Sequence, residues 1–178
     1  MKQKILLFSL LLFTMSLSTS AQITDKTLKK EYKGTLKELK KGGWKVFAST
    51  QSLDEAWEKY FLKRQNDGGT PIVGRGEASN NNVANSKARV DAVKEYTTML
   101  ETQIEAEHDV SFINKDGETL QRFRSIVRAN TEQCIRDMSP VLSLTRKVES
   151  GRYEMQLFYL VDMNKEIEKV IEEWQADK

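Results

Sequence analysis

The sequence predicts an α+β fold: a small antiparallel or mixed sheet of three to four strands, packed against long helices in two layers. Three observations carry this. Pro71–Ala78 reads as a strand that runs straight into a long helix bearing alanines. Pro140 to Val148, a Glu149-Ser150-Gly151 turn and Arg152 to Val161 read as an antiparallel hairpin. Apolar residues at spacings of three and four recur before, between and after these strands.

Taken in order, residues 1–21 read as a secretory signal. Lys2 and Lys4 precede an apolar run from Ile5 to Met15, and Thr19-Ser20-Ala21 supplies small residues at −3 and −1 of a cut before Gln22. The run is shorter than the ~20 residues a membrane span needs, so a retained anchor is the lesser alternative. No cysteine follows it, which argues against bacterial lipidation. The expectation is a protein exported to the periplasm or secreted, with one α+β domain over 22–178.

From Thr24 to Lys41, Leu28, Tyr32, Leu36 and Leu39 form a narrow stripe among seven lysines, and Gly42-Gly43 stops the helix. Such a helix can lie on an anionic membrane. The stripe is thin, so packing against the rest of the chain is the favoured reading. Trp44–Ala48 reads as a short strand. Ser52-x-x-Glu55 is a capping box, and Leu53, Ala56, Trp57, Tyr60 and Phe61 give the next helix a wide apolar face. Asn66–Thr70 ends it.

The strand beginning at Pro71 puts Ile72, Gly74, Gly76 and Ala78 on one face and Val73, Arg75 and Glu77 on the other. A glycine inside a regular element costs about 0.5–1 kcal/mol relative to alanine, so two on one face need compensation. The helix starting near Asn80–Asn82 supplies it. Ala84, Ala88 and Ala92 recur every four residues, so the small strand face and the alanine ridge are expected to approach closely. Tyr96, Met99, Leu100 and Ile104 then continue the apolar face. Val110–Ile113 is a short candidate strand and Asn114–Gly117 a turn. Thr119 opens a helix to about Asp137 carrying Leu120, Phe123, Val127, Cys134 and Met138. A last helix from Asp162 or Asn164 buries Met163, Ile167, Val170, Ile171 and Trp174.

Charge narrows the function classes. The whole chain has 28 basic and 26 acidic residues; loss of Lys2 and Lys4 with the signal balances them. Nucleic-acid binding, which needs a positive excess, is not expected. The charges divide unevenly: residues 22–66 hold 11 basic and 6 acidic side chains, and 67–178 hold 15 and 20, so arm and body are expected to attract. Cys134, the single cysteine, can make no internal bridge; it fits the helical core pattern better than a dimer disulfide.

The familiar chemistries are incomplete. Gly74-x-Gly76 before a helix suggests a dinucleotide loop, but Ser79 stands at the third glycine position and no ribose-binding acid follows a second strand. Asn114-x-Asp116-Gly117 resembles part of a calcium loop, yet Phe112 and Phe123 would occupy its first and last ligand positions. His108 stands among Glu105, Glu107 and Asp109, and no second His or Cys completes a transition-metal set with it. No nucleophile-elbow pattern supports a Ser–His–acid triad. No catalytic, metal or cofactor residue is assigned. The candidate ligand or partner surface is Trp44, Trp57, Tyr60, Arg75 and Glu77.

The run Ile72-Val-Gly-Arg-Gly-Glu-Ala78, the helix with Ala88, Ala92 and Tyr96-x-x-x-Leu100, and the late Gly151-Arg-Tyr153 leading to Tyr159 together resemble a known pattern. It is that of the twenty-kilodalton bacterial envelope lipoproteins and the related amino-terminal domain of flagellar assembly protein T, over about Pro71 to Asp162. The amino-terminal arm is similar to that of exported proteins of Bacteroidetes. The resemblance implies an envelope protein with no enzymatic role and no active site to carry over; the missing lipid-attachment cysteine departs from it. The expected function is a non-catalytic protein-interaction module of the cell envelope, the alternative a periplasmic binder with an aromatic-lined pocket. Alternation in the hairpin further suggests edge pairing between copies as a homo-oligomer.

Overall fold

Helix ends are set by capping residues the sequence displays. Asp25 is extended and its Oδ1 accepts from Leu28 N at 2.8 Å, opening α1 (Lys26–Lys41). Gly42 and Gly43 end it, Gly43 at φ 71°. Strand β1 is only Lys45–Val46, shorter than the Trp44–Ala48 expected. Phe47 N still donates to Ser143 O, but Ala48 turns to φ 51° and takes the chain off the sheet. Ser52 and Glu55 form the reciprocal capping box of α2 (Leu53–Asp67), which Gly68 closes in the left-handed region. Then follow β2 (Thr70–Ala78), α3 (Asn81–Glu107), α4 (Gly117–Asp137), β3 (Leu142–Lys147), β4 (Tyr153–Val161) and α5 (Met163–Ala176). Asn80 Oδ1 accepts from Val83 N, and Asp162 Oδ1 from Lys165 N, at the starts of α3 and α5. The computed structural model describes residues 23–107 and 117–176. The signal reading of 1–21, the Val110–Ile113 strand, the Asn114–Asp116 part of the turn and His108 lie outside the described residues.

The strands make one antiparallel sheet in the order β1-β3-β4-β2. In its register Ile72 stands opposite Tyr159, Gly74 opposite Leu157 and Gly76 opposite Met155. The α+β class and the long packed helices hold. The sheet, however, is covered on both faces, which makes three layers of two. Ile72, Met155, Leu157, Tyr159 and Val161 lie under α3, with α4 and α5 completing that core. Leu142, Leu144, Phe158 and Leu160 lie under α1 and α2. The reason is legible in β4: from Leu157 to Val161 both faces are apolar and all five residues are buried, so each face requires a cover.

The glycine face meets the alanine ridge directly. A Cβ built on Gly74 would fall against Ala88 O and 2.7 Å from Ala92 Cβ; one on Gly76 would fall against Ala84 O and 2.6 Å from Ala88 N. The obstacles are mainly backbone atoms and cannot swing aside. Ala84, Ala88 and Ala92 are completely buried.

Two expectations about surfaces change. The hairpin strands are interior, since β4 lies between β3 and β2, so β4 has no free edge for a second copy. The long edge is β2, and it is open only in part. Pro71 has no N–H, Arg75 N donates to Asp91 Oδ2 at 2.8 Å, and Glu77 O accepts from Lys87 Nζ at 3.2 Å. Nor is α1 drawn to an acidic body. It lies on α2 through Tyr32, Leu36 and Leu39, and its ion pairs, Lys40–Asp54 and Glu31–Arg64, reach partners also within 22–66. The apolar stripe that a membrane would take is turned inward.

Replacing Gly76 with alanine should destabilise the fold by at least about 3 kcal/mol, the upper end of ordinary overpacking, because backbone rather than side-chain tips must move. Urea unfolding of Gly76→Ala and Gly74→Ala measures this; wild-type midpoints in both would refute the contact.

Candidate functional site

Helix α3 presents three faces to three surroundings. Ala84, Ala88 and Ala92 face the strand, and Tyr96, Leu100 and Ile104 continue into the core. Val90 lies two residues beyond Ala88, about 200° around the helix, and is 57 % exposed. Helix α4 buries Phe123, Val127, Thr131 and Ile135 against its neighbours. The hydroxyls of Thr97 and Thr131 meet at 2.7 Å and tie the two helices together.

Between them runs a groove of about 590 Å³. Val90, Val93 and Ile135 give it an apolar floor, and Thr97 and Thr98 extend it. Arg89 and Lys94 stand on the α3 wall, Arg128 and Arg136 on the α4 wall. Glu132 is the lone lining acid and is held by Arg128 at 2.9 Å. Arg89, Lys94 and Arg136 make no ion pair among the described residues. The sequence reading missed this groove because it followed the buried periodicity of each helix. The available signal was Val90, an apolar side chain opposite the buried ridge, beside Arg89.

The predicted surface residues divide. Trp44, Arg75 and Glu77 do come together, lining a depression of about 370 Å³ with Glu154 and Gln156. Its acids are already matched: Arg146 binds Glu154 at 2.6 Å while lying 4.8 Å over the Trp44 ring, and Arg152 binds Glu77 at 3.0 Å. Trp57 and Tyr60 are corrections. Both are buried, with ring centroids 5.4 and 5.3 Å from Phe158, and Trp57 Nε1 donates to Tyr32 O at 3.2 Å. They are core between α2 and the sheet because β4 turns Phe158 and Leu160 toward them, and no aromatic ligand wall forms there. Gly74, Gly76, Ala84, Ala88 and Ala92 are packed against one another and line no ligand surface.

Burial also governs the titratable groups. It pushes the Tyr60 phenol up to about 12, with Arg64 pulling the other way. It raises the Tyr96 phenol, with Cys134 and Glu166 adding to the effect, and raises that of Tyr159 against the opposing charge of Arg89. The half-buried Cys134 thiol is raised by burial and then by Glu166, and donates to Met138 Sδ at 3.5 Å. Among the described residues, no three His, Cys, Asp or Glu side chains form a metal-binding group, and no helix is long and apolar enough to cross a membrane.

No family model, curated protein or solved structure matches the chain.

Tyr60, Tyr96 and Tyr159 keep their protons when folded at a pH where the unfolded phenols, near 10.0, lose theirs. The unfolded state then binds fewer protons, so stability should fall as pH rises from 10 through the raised values, by up to about 1.4 kcal/mol per pH unit for each phenol. Urea midpoints between about pH 9 and 11.5 should decline, less steeply in Tyr60→Phe; a flat profile would contradict the burial. A disulfide-exchange reagent should label Cys134 at least about tenfold more slowly in the folded than in the urea-unfolded chain. Equal rates would mark the thiol as open and reactive.

Proposed function

We propose that the chain is a non-catalytic module of the bacterial cell envelope, exported to the periplasm or secreted, which works by binding another protein through the α3/α4 groove. One observation carries this reading: a groove between two packed helices with Val90 exposed at its lip, Val93 half-buried and Ile135 buried at its base, under a rim of cations of which three make no ion pair among the described residues. Concave surfaces between helices with an apolar base and a few convergent charged groups are favoured binding places. The signal-like first 21 residues support the address. So does the resemblance of Pro71–Asp162 to the envelope lipoprotein pattern.

A photo-reactive amino acid placed at Val90 in exporting cells should give an adduct with a second protein, whereas the same group at Glu58, exposed on α2, should not. Reversal of charge in Arg89→Glu plus Arg136→Glu should abolish the Val90 adduct. No adduct at Val90, or equal adducts at both positions, would overturn the proposal.

A further inference from the structure

The partner's chemistry can be read from how the charges are placed. On α3, Arg89 and Lys94 are five residues apart, about 7.5 Å along the axis; on α4, Arg128 and Arg136 are eight apart, about 12 Å. The cations therefore follow both walls of the groove. A lipid or another single-headed amphiphile would call for cations gathered at one end. A row of carboxylates matches cations strung along two walls.

The floor has matching dimensions. Val90, Val93 and Thr97 stand at i, i+3 and i+7 on α3, and Thr97 is tied to Thr131 across the groove, with Ile135 one turn further along α4. Two parallel ridges of this kind leave a furrow that a third helix fills with its own i, i+3 and i+7 apolar residues. Resting on the proposed function, we infer that the α3/α4 groove docks an amphipathic helix of a partner protein, its apolar stripe on Val90 and Val93 and acidic residues along both flanks facing Arg89, Lys94, Arg128 and Arg136.

A second copy of this chain does not supply such a helix from α5, its acidic one. Met163, Ile167, Val170 and Trp174 are already buried in the chain's own core, so another copy would offer acids without an apolar stripe. The stripe of α1 is likewise turned onto α2, and its exposed side is lysine-rich. Neither α1 nor α5 of another copy fits the groove, and the occupant inferred is a different protein.

The test uses the purified signal-free chain and a fluorescent peptide of about 18 residues with leucines at i, i+3, i+4 and i+7 and glutamates on both flanks. Anisotropy should show saturable binding that weakens at least about tenfold between low and physiological-plus salt. Binding should also weaken at least about tenfold in Arg89→Glu/Arg136→Glu, with an unchanged thermal unfolding curve. A peptide with lysine in place of glutamate, and one of the same composition with its leucine spacing scrambled, should not bind. Equal binding of the lysine or scrambled peptide would overturn the inference. So would tighter binding of dodecyl phosphate or of anionic vesicles than of the acidic peptide, which would assign the groove to an amphiphile. A Val90 adduct in cells together with failure of the acidic peptide would leave the protein-binding reading standing and refute the acidic helix. Absence of both would refute the two together.

Discussion

The close approach of β2 to α3 is the constraint on which the other contacts depend. With glycine at 74 and 76, the strand lies against the helix backbone itself, and Ala84, Ala88 and Ala92 leave nothing to hold the two apart. Glycine's conformational cost is offset by what this proximity lets the rest of the helix do. Beyond the ridge, Tyr96, Leu100 and Ile104 enter one continuous core with Phe123, Val127, Ile167 and Val170, each large side chain contributing about 1.5–3 kcal/mol by burial. Fixing one face of α3 on the strand also fixes which residues face away, and Arg89 and Val90 are among them.

The sheet shows how one chain supplies both of its own covers. Parity along β4 sends Leu157, Tyr159 and Val161 to one side and Phe158 and Leu160 to the other. The basic amino-terminal helix finds its place on the second side by burying leucines and Tyr32, with exposed ion pairs adding little. Placing the hairpin at the centre leaves β2 as the long edge. Pro71, Asp91 and Lys87 remove some of the backbone groups through which it would pair with another strand.

The two concave surfaces differ in how their charges are met. Around Trp44 each lining acid, Glu77 and Glu154, has its arginine. In the α3/α4 groove Arg128 is matched by Glu132, while Arg89, Lys94 and Arg136 make no ion pair among the described residues and stand near the exposed Val90.

What the sequence by itself determined was everything local. The capping box at Ser52 and Glu55, the glycine stops, the hairpin turn at Gly151 and the alanine ridge all act through neighbours within a few residues, and the helices, β2 and the hairpin strands sit close to their predicted spans. Even the meeting of Gly74 and Gly76 with Ala84, Ala88 and Ala92 was legible, because β2 and α3 are consecutive and spacing alone aligns their faces. Tertiary structure decided the rest. Trp57 and Tyr60 fit a core stripe better than a ligand wall from sequence, but both readings stayed open until Phe158, about a hundred residues later, came to lie on them. The third layer, the central position of the hairpin and the groove between α3 and α4 depend on which distant faces meet. Periodicity tells which side of a helix is apolar; it does not tell what that side will touch.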